Sequence, residues 1–134
     1  MSNIQFWKDK AKKIPNARLF SEIAEARAKA ISKRESKQQN KYSQIRKFYD
    51  EVIRINTLAQ QKGGMQTSWD HLLPMIHMLS AKAAYASGRN LISDGFYEDI
   101  KNCVSQVDDV SDLNIFSNYF EAFMGFYKLH GPKD

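Results

Sequence analysis

Apolar residues recur at three- and four-residue steps along most of this chain, which predicts an all-α fold, a single-domain bundle of about five helices over residues 1–134. The clearest block is SQIRKFYDEVIRINTLAQQKGG, residues 43–64. Ile45, Phe48, Tyr49, Val52, Ile55 and Ala59 fall on one side at about 100° per residue, so that side is core. Ser43 offers a hydroxyl to cap the start, and Gly63-Gly64 supplies the left-handed backbone that ends the helix. The opposite side carries Arg46, Lys47 and Arg54, about two turns from first to last at ~5.4 Å per turn, within reach of successive phosphates of an RNA strand. The same face also fits an ordinary salt-bridged surface. Arg46 stands four residues before Asp50, Lys47 four before Glu51, and Asp50 four before Arg54, pairs worth roughly 0.2–0.5 kcal/mol each.

The rest of the pattern reads in order. MSNIQFWKDKAKKI is a basic arm, residues 1–15 with Pro15, whose Phe6 and Trp7 either pack on the body or stack on a base. Packing suits Trp better, since its surface is costly to leave in water. NARLFSEIAEARAKAISKRE predicts a long exposed helix buried along Leu19, Phe20, Ile23, Ala26, Ala30 and Ile31. Residues 32–42, SKRESKQQNKY, lose apolar periodicity and read as a mobile basic connector. Lys33, Arg34, Lys37 and Lys41 in it are either a solvated linker or a segment that orders on RNA.

After Gly64, Ser68 caps a helix that is apolar nearly all round, with Trp69, Leu72, Leu73, Ile76, Leu79 and Ala83 innermost, so it is expected at the centre with others around it. Pro74 either kinks that helix or makes its first turn a separate piece. Gly88 closes it, and Arg89 next to the end either bonds the last carbonyls or points at a ligand. Ser93 or Asp94 then starts a short helix that buries Phe96, Tyr97, Ile100, Cys103, Val104 and Val107. Ser111 or Asp112 caps the last helix. Leu113, Phe116, Tyr119, Phe120, Phe123, Met124, Phe126 and Tyr127 spread over roughly half its circumference, wider than the ~100° stripe of an ordinary amphipathic helix. Either the first helix folds back over the excess, or a neighbouring copy or partner chain covers it.

Charge changes the picture by its position. Residues 1–47 hold 13 Lys and Arg against four Asp and Glu, a net of +9, while the remainder holds seven against 11, a net of −4. Such asymmetry points to a polyanion, because each neutralised phosphate releases counterions, with a salt slope of about −0.7 per contact on single strands. Nucleic acid fits better than membrane, since no basic segment carries a continuous wide apolar face. The single Cys103 cannot pair within the chain, and neither a secretory apolar block nor a run of about 18 apolar residues is present, so a cytoplasmic protein is expected.

Catalytic chemistry is hard to place. His71 and His77 are six residues apart, not the three or four that put two imidazoles on one helical face, and there is no cysteine pair to hold zinc. No glycine-rich phosphate loop, Gly-x-Ser-x-Gly elbow or HExxH occurs. Cys103, in register with Phe96 and Ile100, reads as core rather than nucleophile, and His77 as a satisfied core residue. No enzyme activity, catalytic residue, metal or cofactor is expected.

Three blocks in order, SQIRKFYDEV, LLPMIHMLSAKAAYASGRN and FEAFMGFYKLHG, resemble the small helical subunit of type III-A (Csm) CRISPR effector complexes. In that family a polar stretch precedes a Gln-Ile/Leu-Arg-Lys helix, a Leu-Pro leads to an Ala-Tyr-Ala-x-Gly-Arg ending, and a Tyr-x-x-x-Gly turn closes the last helix. The likeness runs from about Tyr42 to Asp134; the N-terminal 35 residues match nothing specific. The resemblance implies a non-catalytic subunit, present in several copies stacked head to tail, that helps hold guide RNA and target RNA without reading sequence, beside other subunits of the Csm effector complex. By position it makes Arg46, Lys47 and Arg89 the first choices for RNA contact. Arg54, Lys41, Lys33, Arg34 and Lys37 join them from the residue-level reading alone. A homodimer of the isolated chain is possible under this reading. The alternatives are a helical DNA-binding regulator, which needs base-reading side chains and a tight turn before the Arg46 helix, and a protein-only adaptor whose charges are plain surface.

Overall fold

The computed structural model describes residues 4–61 and 68–133. Across them the chain forms a small hairpin, β1 (Trp7–Asp9) and β2 (Ile14–Pro15), a 3-10 turn (Ala17–Phe20), and five helices, α1 (Glu22–Ser32), α2 (Tyr42–Gln60), α3 (Trp69–Gly88), α4 (Asp94–Ser105) and α5 (Val110–His130). The all-α expectation holds. The two short antiparallel strands, paired Trp7 with Pro15 and Asp9 with Ile14, are an addition to it.

The centre of the molecule is α5, not α3. Ten residues of α5 are buried, and α1 and α2 pack along it while α3 and α4 pack on each other. An aromatic row runs down its length, with ring centroids 6.1 Å apart for Phe116 and Phe120, 5.9 Å for Phe120 and Phe123, and 5.4 Å for Phe123 and Tyr127. Contacts of this kind add about 0.5–1.5 kcal/mol per pair beyond their buried area. The wide face is therefore covered from within by α1 folding back and by α2, and the aromatic surface is not left for a neighbouring copy. In α3 only the stripe Leu72, Ile76, Leu79, Ala83 and Ala86 is buried, while Met78 is 53% and Tyr85 66% exposed. That segment counts as apolar through its alanines, which offer little area to bury, so it sits at the edge. His77, expected in the core, is exposed.

The basic arm packs down. Phe6 is fully buried beside Phe116, and the Trp7 indole N–H donates to Asp112 Oδ1 at 2.7 Å. Lys10 Nζ lies 2.8 Å from Asp108 and 3.4 Å from Asp112, and Lys13 Nζ lies 3.7 Å from Asp109. The hydrogen bond to Asp108 raises the Lys10 pKa. Part of the N-terminal polycation is thus neutralised by the acidic turn that precedes α5. Behind the hairpin, the expected long helix opens as a 3-10 turn and becomes α-helical only at Glu22. That break shifts the phase, so Ala24 and Ala28 are buried with Ile31, whereas Ala26 and Ala30 face out.

Helix starts follow capping chemistry in three cases. Ser68 accepts from the Asp70 N–H and Ser93 from the Phe96 N–H. For α5 the cap is Asp109, one turn ahead of its partner Asp112, whose side chain returns a bond to the Asp109 N–H. This reciprocal arrangement replaces the expected Ser111 or Asp112 cap. Helix α2 begins at Tyr42 with no side-chain cap, leaving Ser43 inside it. Its expected end at Gly63-Gly64 lies outside the described residues. Helix α3 continues through Pro74 as one element, so the first turn is not a separate piece. No helix among the described residues is long and apolar enough to cross a membrane.

Candidate nucleic-acid interface

The connector between α1 and α2 is pinned rather than mobile, and Asn40 does most of the pinning. Its side chain is fully buried. The Asn40 amide donates to the Ile31 carbonyl at 3.0 Å and to Ser93 Oγ at 2.9 Å, and its Oδ1 accepts the Ser93 N–H at 2.9 Å. Its backbone N–H donates to the Leu91 carbonyl and its carbonyl accepts the Tyr127 hydroxyl at 2.6 Å. Asn40 has φ 56 and Asn90 φ 59, left-handed angles that asparagine tolerates better than most residues. Arg34 donates to the carbonyls of Lys37 and Gln39, and the Gln39 amide donates to Asn90 Oδ1. Polar sequence here marks a satisfied hydrogen-bond node, which composition alone cannot distinguish from a linker.

The pinned connector places Lys37 and Lys41 beside α2. Together with Gln44 and Leu91 they line one shallow depression. A second depression, between α2 and the C-terminal half of α3, is lined by Lys47, Glu51, Lys82, Tyr85 and Arg89 and shares Gln44 and Leu91 with the first. The two form one continuous furrow with cations from three elements.

Glu51 is the acid within it. Arg54 Nε and a terminal guanidinium nitrogen both donate to Glu51 at 2.9 Å, and Lys82 Nζ donates at 3.2 Å. The Arg54 hydrogen bonds, against partial burial and with help from Lys82, hold the Glu51 carboxyl below the usual range. Of the three anticipated i,i+4 pairs on α2, only Arg46 with Asp50 is formed, at 3.6 Å. Glu51 is engaged by Arg54 at i+3 and by Lys82 of α3 instead.

The eight anticipated RNA-binding residues therefore fall into groups. Lys37, Lys41, Lys47 and Arg89 line the furrow. Arg54 reaches its edge through Glu51. Arg46 stands about 100° further round the helix than Lys47, on the flank of Tyr49, outside the furrow. Lys33 lines a different depression with Glu35 and Asp94, and Arg34 is occupied by connector carbonyls. Sequence reasoning missed Lys82 and Tyr85. Residues 82, 85 and 89 repeat at three- and four-residue steps, so the periodicity applied to α2 would have placed all three on one face of α3.

Arg89 does not cap α3 through its side chain. Its guanidinium carbon lies 5.6 Å from the Tyr85 ring centroid, and a guanidinium N–H donates to the Tyr85 hydroxyl at 3.1 Å. What the furrow offers is a row of cationic donors with one exposed aromatic ring, suited to neutralising phosphates. Cys103 is buried, and burial pushes its thiol well above the ordinary value, which suppresses the nucleophilic thiolate. Among the described residues no group of three or more His, Cys, Asp and Glu is arranged to hold a metal ion.

No curated protein and no solved structure matches the chain significantly. The family model Csm2 Type III-A matches residues 15–133, reaching from β2 across all five helices to the turn after α5. With nearly the whole chain matched, this protein belongs to the Csm2 type III-A family, the small subunits of type III-A CRISPR complexes.

Proposed function

We propose that this chain is a non-catalytic subunit that binds RNA without regard to sequence, holding guide RNA and target RNA in a type III-A interference complex. The observation that carries the reading is the furrow, where Lys37, Lys41, Lys47, Lys82 and Arg89 converge from the connector, α2 and α3. Cations of this kind contact sugar-phosphate backbone, which is the same in every sequence, so a subunit serving any guide needs them more than base-edge readers. A single copy makes few contacts and binds weakly; several copies side by side raise retention through linkage. Stacked copies would meet through surfaces other than the aromatic face of α5, which α1 and α2 already cover.

The test compares wild type with Lys41→Glu/Lys47→Glu/Arg89→Glu in filter binding to RNAs of unrelated sequence. Wild type is expected to retain all of them to a similar degree and the variant to lose all of them together. Loss confined to one sequence, or no loss, would contradict the proposal. The protein-only adaptor predicts no retention by wild type. The DNA-regulator reading predicts preference for a duplex DNA sequence.

A further inference from the structure

Tyr85 is the one aromatic among the large exposed hydrophobic residues described, and it sits in the wall of the cationic furrow. An exposed tyrosine on a helix surface is ordinary, but three features set this one apart. It is 66% exposed. Its ring is held from one side by the Arg89 guanidinium at 5.6 Å, with the hydroxyl fixed by the same group at 3.1 Å. Lys47 and Lys82 line the same depression, where they would hold the backbone of a nucleotide whose base reached the ring. The guanidinium also adds a cationic layer beneath the π-system, an arrangement that favours a flat ligand on the open face.

We infer that Tyr85 is a stacking platform for one unpaired nucleobase, backed by Arg89. This rests on the furrow being the RNA site and adds what the furrow takes. In a continuous duplex every base is already stacked on its neighbours, so a platform of this kind has nothing to receive. It selects a single strand, or a duplex interrupted where one base is turned out. Base–aromatic stacking tolerates every sequence because every base has a π-face.

The experiment measures binding of the full chain to a single-stranded RNA and to a continuous duplex of the same sequence, with 2-aminopurine in the strand as a stacking probe. Tyr85→Ala is expected to weaken single-strand binding by roughly five- to 150-fold, the range for loss of one stacked base. It leaves the salt slope unchanged, because stacking releases no counterions. Tyr85→Trp restores affinity and quenching of the probe. Duplex binding changes little in either variant. Equal single-strand affinity for wild type and Tyr85→Ala, with Lys41→Glu/Lys47→Glu/Arg89→Glu still defective, overturns the platform and leaves the furrow standing. Wild type that binds no RNA overturns both. If Tyr85→Ala instead releases the chain from its complex while its RNA affinity is intact, the ring packs on another subunit and the platform is refuted.

Discussion

Replacing Asn40 by alanine tests whether the connector is a fixed part of the fold. The substitution removes three side-chain hydrogen bonds, to Ile31, Ser93 Oγ and the Ser93 N–H, all inside a fully buried position. At about 1 kcal/mol each, with the Ile31 carbonyl and Ser93 N–H left unpaired, the loss is ~3 kcal/mol. Alanine at φ 56 adds about 1 kcal/mol of backbone strain. A total of ~4 kcal/mol is a large fraction of the stability of a chain this size and lowers Tm by about 15 °C. Urea unfolding followed by far-ultraviolet circular dichroism measures it, with Asn40→Gly as the companion, since glycine loses the same bonds without the strain. A loss of less than about 1 kcal/mol for Asn40→Ala refutes the reasoning and returns residues 32–42 to a loosely attached linker.

Further outcomes follow from the same coordinates. Glu51→Gln releases Arg54 and Lys82 from a carboxylate in the furrow and is expected to raise RNA affinity several-fold and steepen its salt dependence, read by filter binding; unchanged affinity would mean those two cations lie off the RNA path. Trp7→Phe removes the indole donor to the buried Asp112 carboxylate and costs about 1.5–3 kcal/mol in urea unfolding, whereas a merely draped arm would lose almost nothing. The carboxyls of Asp109, held down first by the Ser111 hydroxyl, and of Glu51 titrate lower in the folded chain than in the unfolded one. Their contribution is therefore complete above about pH 4 to 5 and disappears as pH falls through the folded values. Asp109→Asn, which keeps a competent cap, is expected to flatten that acid limb in a series of urea midpoints against pH. Cys103 should resist a thiol reagent in the native chain and react fully in denaturant; fast native labelling would contradict its burial.

What the sequence made legible was whatever local periodicity controls. The stripe of α2 is legible because Ile45, Phe48, Val52, Ile55 and Ala59 are large enough and regular enough to define a phase, and all are buried. The phase of α1 is not, because alanine is compatible with either side and the preceding 3-10 turn resets the count. Which apolar helix is central was misjudged for a related reason: α3 and α5 both look apolar all round, yet only the phenylalanines and tyrosines of α5 carry enough area to organise a core. The hairpin at the N-terminus turns through Lys13 at φ 55 with no glycine to announce it.

The furrow was half legible. Arg89 stood out by its place after a helix end and by resemblance, and Lys47 by its position on α2. Lys82 and Tyr85 acquire meaning only when α3 lies beside α2, which no local pattern states. The Glu51–Arg54 pair escaped because attention to four-residue spacing overlooked the three-residue one. Asn40 escaped because a buried polar node and a solvated linker are written in the same residues.

The most direct test of the central claim is the salt dependence of single-stranded RNA binding by the full chain, wild type against Lys41→Glu/Lys47→Glu/Arg89→Glu. With a slope of about −0.7 per phosphate contact, loss of three contacts should flatten the log–log slope by about 2 while Tm stays within a few degrees. Parallel lines for the two proteins would show that these cations touch no phosphate.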